Sequence, residues 1–229
     1  KGLSSGWGTP LIGVNHLEGH LFANVVTFPD LQPPFLCLIV SGGHTEIVRV
    51  RDFGDYAVIA RTLDDAVGEA YDKVAKLLDL GYPGGPPVDR LAASGDPERF
   101  RLPVPLKHDP VLAFSFSGLK TAVLWALQEF RDRAEPAPAA DLCASFQRAA
   151  IDALLAKTEL AVRETGIRKV CIAGGVAANS ALRQAMQRNR NFSAWCPPVS
   201  RCTDNAVMIA AAGYNSYQRG KRSTLELSA

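Results

Sequence analysis

Two short apolar runs each end on a pair of glycines, Phe35 to Ser41 before Gly42-Gly43 and Arg168 to Ala173 before Gly174-Gly175. The first reads as a strand and the second as a buried strand. The first run leads through Gly42-Gly43 to His44 to Val50, and the polar Arg51-Asp52-Phe53-Gly54-Asp55 turn leads on to Tyr56 to Leu63. This is the pattern of a three-stranded antiparallel meander. The second glycine pair opens onto a helical pattern over Ala178 to Arg188, a strand-turn-helix unit. Strands and helices in this arrangement make the chain an α/β protein. Ser41-Gly42-Gly43-His44-Thr45 sets hydroxyls beside side-chain-free amides, as loops that cradle phosphate do, although a plain Gly-Gly hairpin has the same sequence. Asn179 heads the helix after the second pair, where an amide can hydrogen-bond a ribose or base. Two such turns suggest a nucleotide held between them.

The other segments supply helices and candidate ligands. Pro10 to Val14 reads as a buried strand, and Asn15 caps the helix that follows. His16 and His20 lie four residues apart on one face of that helix and can close on one divalent ion. A zincin protease needs Glu directly after the first His, whereas Glu18 lies about 200° round the helix and faces away. Asp204 is the candidate third ligand, or a plain cap for an apolar helix from Asn205 to about Tyr217, or both. Two imidazoles and a carboxylate leave open positions and suit iron or zinc. Val67, Ala70, Val74, Leu77 and Leu78 mark a helix capped by Asp64 or Asp65, and Gly81 to Pro86 reads as a rigid surface loop. On that helix Glu69 and Lys73 form a surface pair, while Asp72, and Asp89 after the loop, are acceptors for a ligand hydroxyl. Helical patterns over Gly118 to Phe130 and Ala139 to Thr165 are split by Glu135-Pro136-Ala137-Pro138. Phe114 to Lys120 reads as a strand end with a Ser117 cap, or as support for the site, and the tail after Tyr217 as loosely held.

Composition narrows the function classes. The 229 residues are 47% hydrophobic and 21% charged, the balance of a globular protein, with no apolar run long enough to span a membrane and no leader pattern. A cytoplasmic location is expected. The five cysteines, Cys37, Cys143, Cys171, Cys196 and Cys202, form no C-x-x-C pair and argue against a disulfide framework. A net charge of +2 permits a nucleic-acid partner without demanding one, although Arg183, Arg188 and Arg190 and then Arg219, Lys221 and Arg222 gather basic charge.

His-x-x-x-His, Val-Ser-Gly-Gly-His-Thr, Asp-Asp-Ala-x-Gly-Glu-Ala-x-Asp-Lys, Tyr-Pro-Gly-Gly-Pro, Phe-Ser-Phe-Ser-Gly-Leu-Lys-Thr, Gly-Gly-Val-x-Ala-Asn and Cys-Thr-Asp-Asn occur in this order from about Gly2 to Gly220. Together they closely resemble the bacterial-type tRNA threonylcarbamoyladenosine synthase family, once read as a glycoprotease. The resemblance implies an actin-like, sugar kinase-like (ASKHA, RNase H-like) fold of two lobes. It implies residues 35–200 as a complete nucleotide-binding lobe, with 1–34 and 201–229 as parts of a second. It implies transfer of threonylcarbamoyl from threonylcarbamoyl-adenylate to the N6 amine of adenosine 37 in tRNAs reading ANN codons. Carried over by motif, His16, His20 and Asp204 are the metal ligands, for Fe2+ first and Zn2+ second. Ile39, Val40, Ser41, Gly42, Gly43, Asp72, Gly85, Asp89 and Asn179 are the adenylate contacts. A catalytically silent paralogue and a P-loop ATPase are the implied partners. Family members open with a strand-loop-strand that this sequence lacks, roughly the first quarter of a typical member. That departure implies impaired activity of the chain alone and self-association through an uncovered apolar face. The competing readings are a non-catalytic nucleotide-binding scaffold of the same fold and, less favoured by Glu18, a metalloprotease.

Overall fold

The computed structural model describes residues 1–227. In chain order the elements are α1 (Gly2–Trp7), α2 (His16–Thr27), β1 (Phe35–Val40), β2 (Thr45–Asp52), β3 (Asp55–Thr62), α3 (Val67–Leu77) and α4 (Gly85–Ala92). They continue with β4 (Ala113–Phe114), α5 (Ser117–Asp132), α6 (Ala139–Thr165), β5 (Lys169–Ala173), α7 (Ser180–Arg188), β6 (Ser193–Trp195) and α8 (Ala206–Gln218). The strands form one mixed sheet in the order β4-β3-β2-β1-β5-β6. The expected meander is present, with β1, β2 and β3 antiparallel in turn, and β5 lies parallel to β1.

β1 is apolar throughout because it is central and covered twice. Leu36, Leu38 and Val40 face a core shared with α3, α5 and α6, while Phe35, Cys37 and Ile39 face Leu21 of α2 and Leu31. All six are buried, each side chain worth about 2 kcal/mol in apolar burial. Asn24 ties α2 to this second face by donating from Nδ2 to Ile172 O at 3.0 Å. All five cysteines are free thiols. Among the described residues no helix is long and apolar enough to cross a membrane.

Several local expectations are corrected. Pro10 to Val14 forms no strand: Leu11 makes one antiparallel bridge to Ser223, since a strand needs a row of partners and only the tail runs beside it. The tail is accordingly held at Ser223, whose Oγ accepts from Gly13 N at 2.9 Å; its last two residues lie outside the described residues. The loop expected to run to Pro86 ends at Gly84, because Pro86 and Pro87 sit in the first turn of α4, where a missing N–H costs nothing. Neither Asp64 nor Asp65 caps α3. Its first amides are taken by Thr45 Oγ1, which accepts from Val67 N at 2.8 Å, and by Ser41 O, which accepts from Gly68 N at 3.1 Å. Asp65 pairs with Lys73, which also meets Glu69 as expected.

Asp64 serves α5 instead. It accepts from Phe116 N at 2.8 Å, from Ser117 N at 3.3 Å, and from the hydroxyls of Ser115 and Ser117 at 2.6 and 2.7 Å. Burial works against its charge, but these four bonds outweigh it and hold the carboxyl below the usual range. Asp64→Ala is expected to cost about 2 kcal/mol in urea unfolding. Because the folded-state value is depressed, this contribution is present above a pH of about 4 and fades as pH falls below it.

Candidate functional site

Two side-chain caps bring the histidines and the carboxylate together. Asn15 Oδ1 accepts from Leu17 N at 2.9 Å and Glu18 N at 3.3 Å, so α2 starts at His16 and His20 falls one turn later on the same face. Asn205, not Asp204, caps α8 through Met208 N at 3.0 Å, leaving the Asp204 carboxylate unused by the helix. Gly19 lets α8 come close: a Cβ there would lie 2.8 Å from Ile209 Cδ1. The Nε2 atoms of His16 and His20 each lie 3.3 Å from Asp204 Oδ1, and the imidazole centroids are 4.8 Å apart.

This donor set fits a divalent ion. One ligand atom from each residue falls within 4.8 Å of the others. The His20 side chain is 4% exposed while Asp204 is 74% exposed, so the cluster has a closed side and an open one. Burial, then the neighbouring His16, push His20 below its usual value; Asp204 raises it and His44 lowers it further. The result favours neutral imidazole, the form that ligates. His20 Nδ1 is buried without a partner, an orphaned polar atom on the ring whose Nε2 faces Asp204. Glu18 lies elsewhere, its Oε1 accepting from Tyr56 OH at 2.9 Å.

Beside the cluster is a cavity of about 540 Å³, joined to it in sequence by the lining residue Thr203. Gly42, Asp72, Gly85, Asp89 and Asn179, all expected at the site, line it together. Ile39, Val40, Ser41 and Gly43 do not line it; the side chains of Ile39 and Val40 are fully buried in the core. Ser41 shapes the turn, accepting at Oγ from Gly43 N at 3.3 Å and His44 N at 3.0 Å. The glycines that squeeze this turn are in α3 and after β5. A Cβ on Gly68 would meet Ser41 O at 2.5 Å, and one on Gly174 would meet Val40 O at 2.4 Å.

The expected polar contacts are partly spent inside the protein. Asp72 Oδ1 accepts from Gly84 N at 2.6 Å and pins the loop before α4. Asp89 accepts from Ser180 N at 2.9 Å and from Ser180 Oγ at 3.0 Å at the head of α7. Asn179 caps α7 through Leu182 N at 2.8 Å and donates from Nδ2 to Gln147 Oε1 at 2.7 Å. Gly68 and Tyr71 were not foreseen as lining residues; Tyr71 falls at helical spacing from Val67 and Val74, a signal that could have placed it inward. Arg183, taken as part of a basic cluster, donates to the carbonyls of Ala177 and Cys196 and is structural.

A family sequence model described as tRNA N6-adenosine threonylcarbamoyltransferase matches residues 1–211. The chain belongs to this family. Relatives bearing that name include one from Thermosipho africanus, 50% identical over 99% of this chain and 69% of its own length. One from Gloeobacter violaceus is 52% identical over 95% and 64%, and one from Clostridium botulinum is 47% identical over 100% and 68%. The chain thus spans about two thirds of their length. Among solved structures, HypF from T. kodakarensis aligns with a TM-score of 0.71 at 17% identity, over 96% of this chain and 38% of that one. The activator of the 2-hydroxyisocaproyl-CoA dehydratase from Clostridium difficile aligns with a TM-score of 0.57 at 15% identity, over 94% and 72%. These likenesses establish the expected actin-like, sugar kinase-like fold.

Proposed function

We propose that this chain is the larger part of an enzyme that transfers threonylcarbamoyl from threonylcarbamoyl-adenylate to the N6 amine of adenosine 37 in tRNA. The observation that carries the reading is the adjacency of the His16, His20 and Asp204 cluster to the cavity between the two glycine turns. The turn at Ser41 to Gly43 and the head of α7 receive the adenylate, with Asp72 and Asp89 within reach of ribose hydroxyls. His16 and His20, fixed by the Asn15 cap, and Asp204, held at the open side, are the residues that hold Fe2+, or Zn2+. Such an ion supplies a Lewis acid toward carbamoyl and phosphate oxygens. The N6 nitrogen of adenosine attacks the carbamoyl carbon, the mixed-anhydride bond to phosphate breaks, AMP leaves, and the amine proton passes to solvent. No side chain becomes covalently modified, and binding geometry with electrostatic stabilisation does the work.

The stripe of exposed Val207, Ala210, Tyr214 and Tyr217 on α8 supports a second lobe built around α2 and α8, completed outside this chain, and self-association of the chain without it. A silent paralogue and a P-loop ATPase of the same cytoplasmic pathway are the proposed partners. The test is nucleoside mass spectrometry on unmodified tRNA given preformed threonylcarbamoyl-adenylate, with this chain or a form extended to its relatives' length, plus those partners. Threonylcarbamoyladenosine from the extended form is the expected result. Its absence from both would leave a nucleotide-binding scaffold.

A further inference from the structure

Gln147 belongs to none of the motifs that mark the family resemblance, yet it hydrogen-bonds two residues that line the adenylate cavity. It lies in α6 among Cys143, Phe146 and Ala150 and is 6% exposed, an unusual place for an uncharged amide in an otherwise apolar stripe. Its Oε1 accepts two hydrogen bonds, from Asn179 Nδ2 at 2.7 Å and from Tyr71 OH at 3.2 Å. Asn179 Nδ2 also reaches Tyr71 OH at 3.4 Å. Tyr71 and Asn179 both line the cavity. Burial pushes the Tyr71 phenol far above its usual value, so the hydroxyl stays a donor.

Only one orientation of Asn179 satisfies these contacts. With Nδ2 turned to Gln147, Oδ1 faces Leu182 N and closes the first turn of α7. Removing the Gln147 acceptor leaves Nδ2 with only the 3.4 Å contact to Tyr71 OH, so the orientation that aims Oδ1 at Leu182 N is held less tightly. The α7 cap and the Gly174 to Asn179 turn would then loosen together.

Resting on the adenylate reading of this cavity, we propose that Gln147 is a positioning residue that fixes Asn179 and Tyr71 as the wall of the nucleotide site. Gln147→Met keeps volume and removes the acceptor, whereas Gln147→Glu keeps an acceptor at the same reach. AMP binding to the 229-residue chain, measured by isothermal titration with thermal melting in parallel, decides it. Gln147→Met is expected to weaken AMP about tenfold, because both bonds that fix the cavity wall are lost while none to AMP itself is removed, and Gln147→Glu stays within about threefold of wild type. Unchanged AMP affinity in a folded Gln147→Met would overturn the positioning role while leaving the cavity assignment standing. Wild-type chain that fails to bind AMP would overturn both. Equal loss in the Met and Glu variants would show a packing effect only and overturn it too.

Discussion

On the proposed ligand set, Asp204→Ala is expected to abolish divalent-ion binding and lower threonylcarbamoyl transfer about a thousandfold, with the fold intact. The magnitude follows from losing several kcal/mol of charge stabilisation at the carbamoyl and phosphate oxygens, about 4 kcal/mol corresponding to three decades in rate. Of the three proposed ligands, Asp204 is the cleanest to remove. Its side chain is 74% exposed and its ion-pair contacts are the two imidazoles, so its loss leaves neither a cavity nor an uncapped helix. Removing His20, whose side chain is 4% exposed, would disturb the packing of α2 as well. Metal content by elemental mass spectrometry, the circular dichroism melt and the tRNA assay give three separate readouts. A variant that keeps its ion and transfers normally would refute the ligand assignment whatever its stability.

What could be read in advance depended on how far apart in sequence the causes lie. β1 was legible because a central strand must be apolar on both faces, and the Phe35 to Val40 run states that directly. The His16 and His20 pair was legible because a helix converts four residues into one face. The partners of Asp64 were not legible, since the serines it binds lie more than 50 residues away and no local spacing reports them. An aspartate before a helical pattern looked like that helix's own cap, yet tertiary structure gave it to α5 and let Thr45 and Ser41 serve α3. Pro10 to Val14 had a strand's composition without a strand's row of partners. At the site, the residue types were foreseen better than their commitments: Asp72, Asp89 and Asn179 line the cavity as expected, but each also holds a loop or helix end in place. Sequence shows that an amide is present, not where its hydrogen bonds go.

The glycine turn after β5 gives the largest expected effect on stability. Gly174 has φ of 91°, a conformation L side chains rarely adopt, and a Cβ there would lie 2.4 Å from Val40 O and 2.9 Å from Val40 C. Neither neighbour is a flexible side chain that can swing aside, since both belong to the backbone of the central strand. Gly174→Ala therefore adds backbone strain to overpacking, each of order 1–3 kcal/mol, and is expected to cost about 4 kcal/mol. That is a large fraction of the roughly 5–15 kcal/mol available to a domain. The adjacent Gly175 is the internal control, because a Cβ there meets nothing within 4 Å and its φ is not in the left-handed region. Gly175→Ala is expected to shift the urea midpoint little, within about 1 kcal/mol, although it lines the cavity and can alter AMP affinity. Equal midpoints for the two variants would mean that β1 yields at Val40, and the turn would then be a compliant loop and no fixed wall of the cavity.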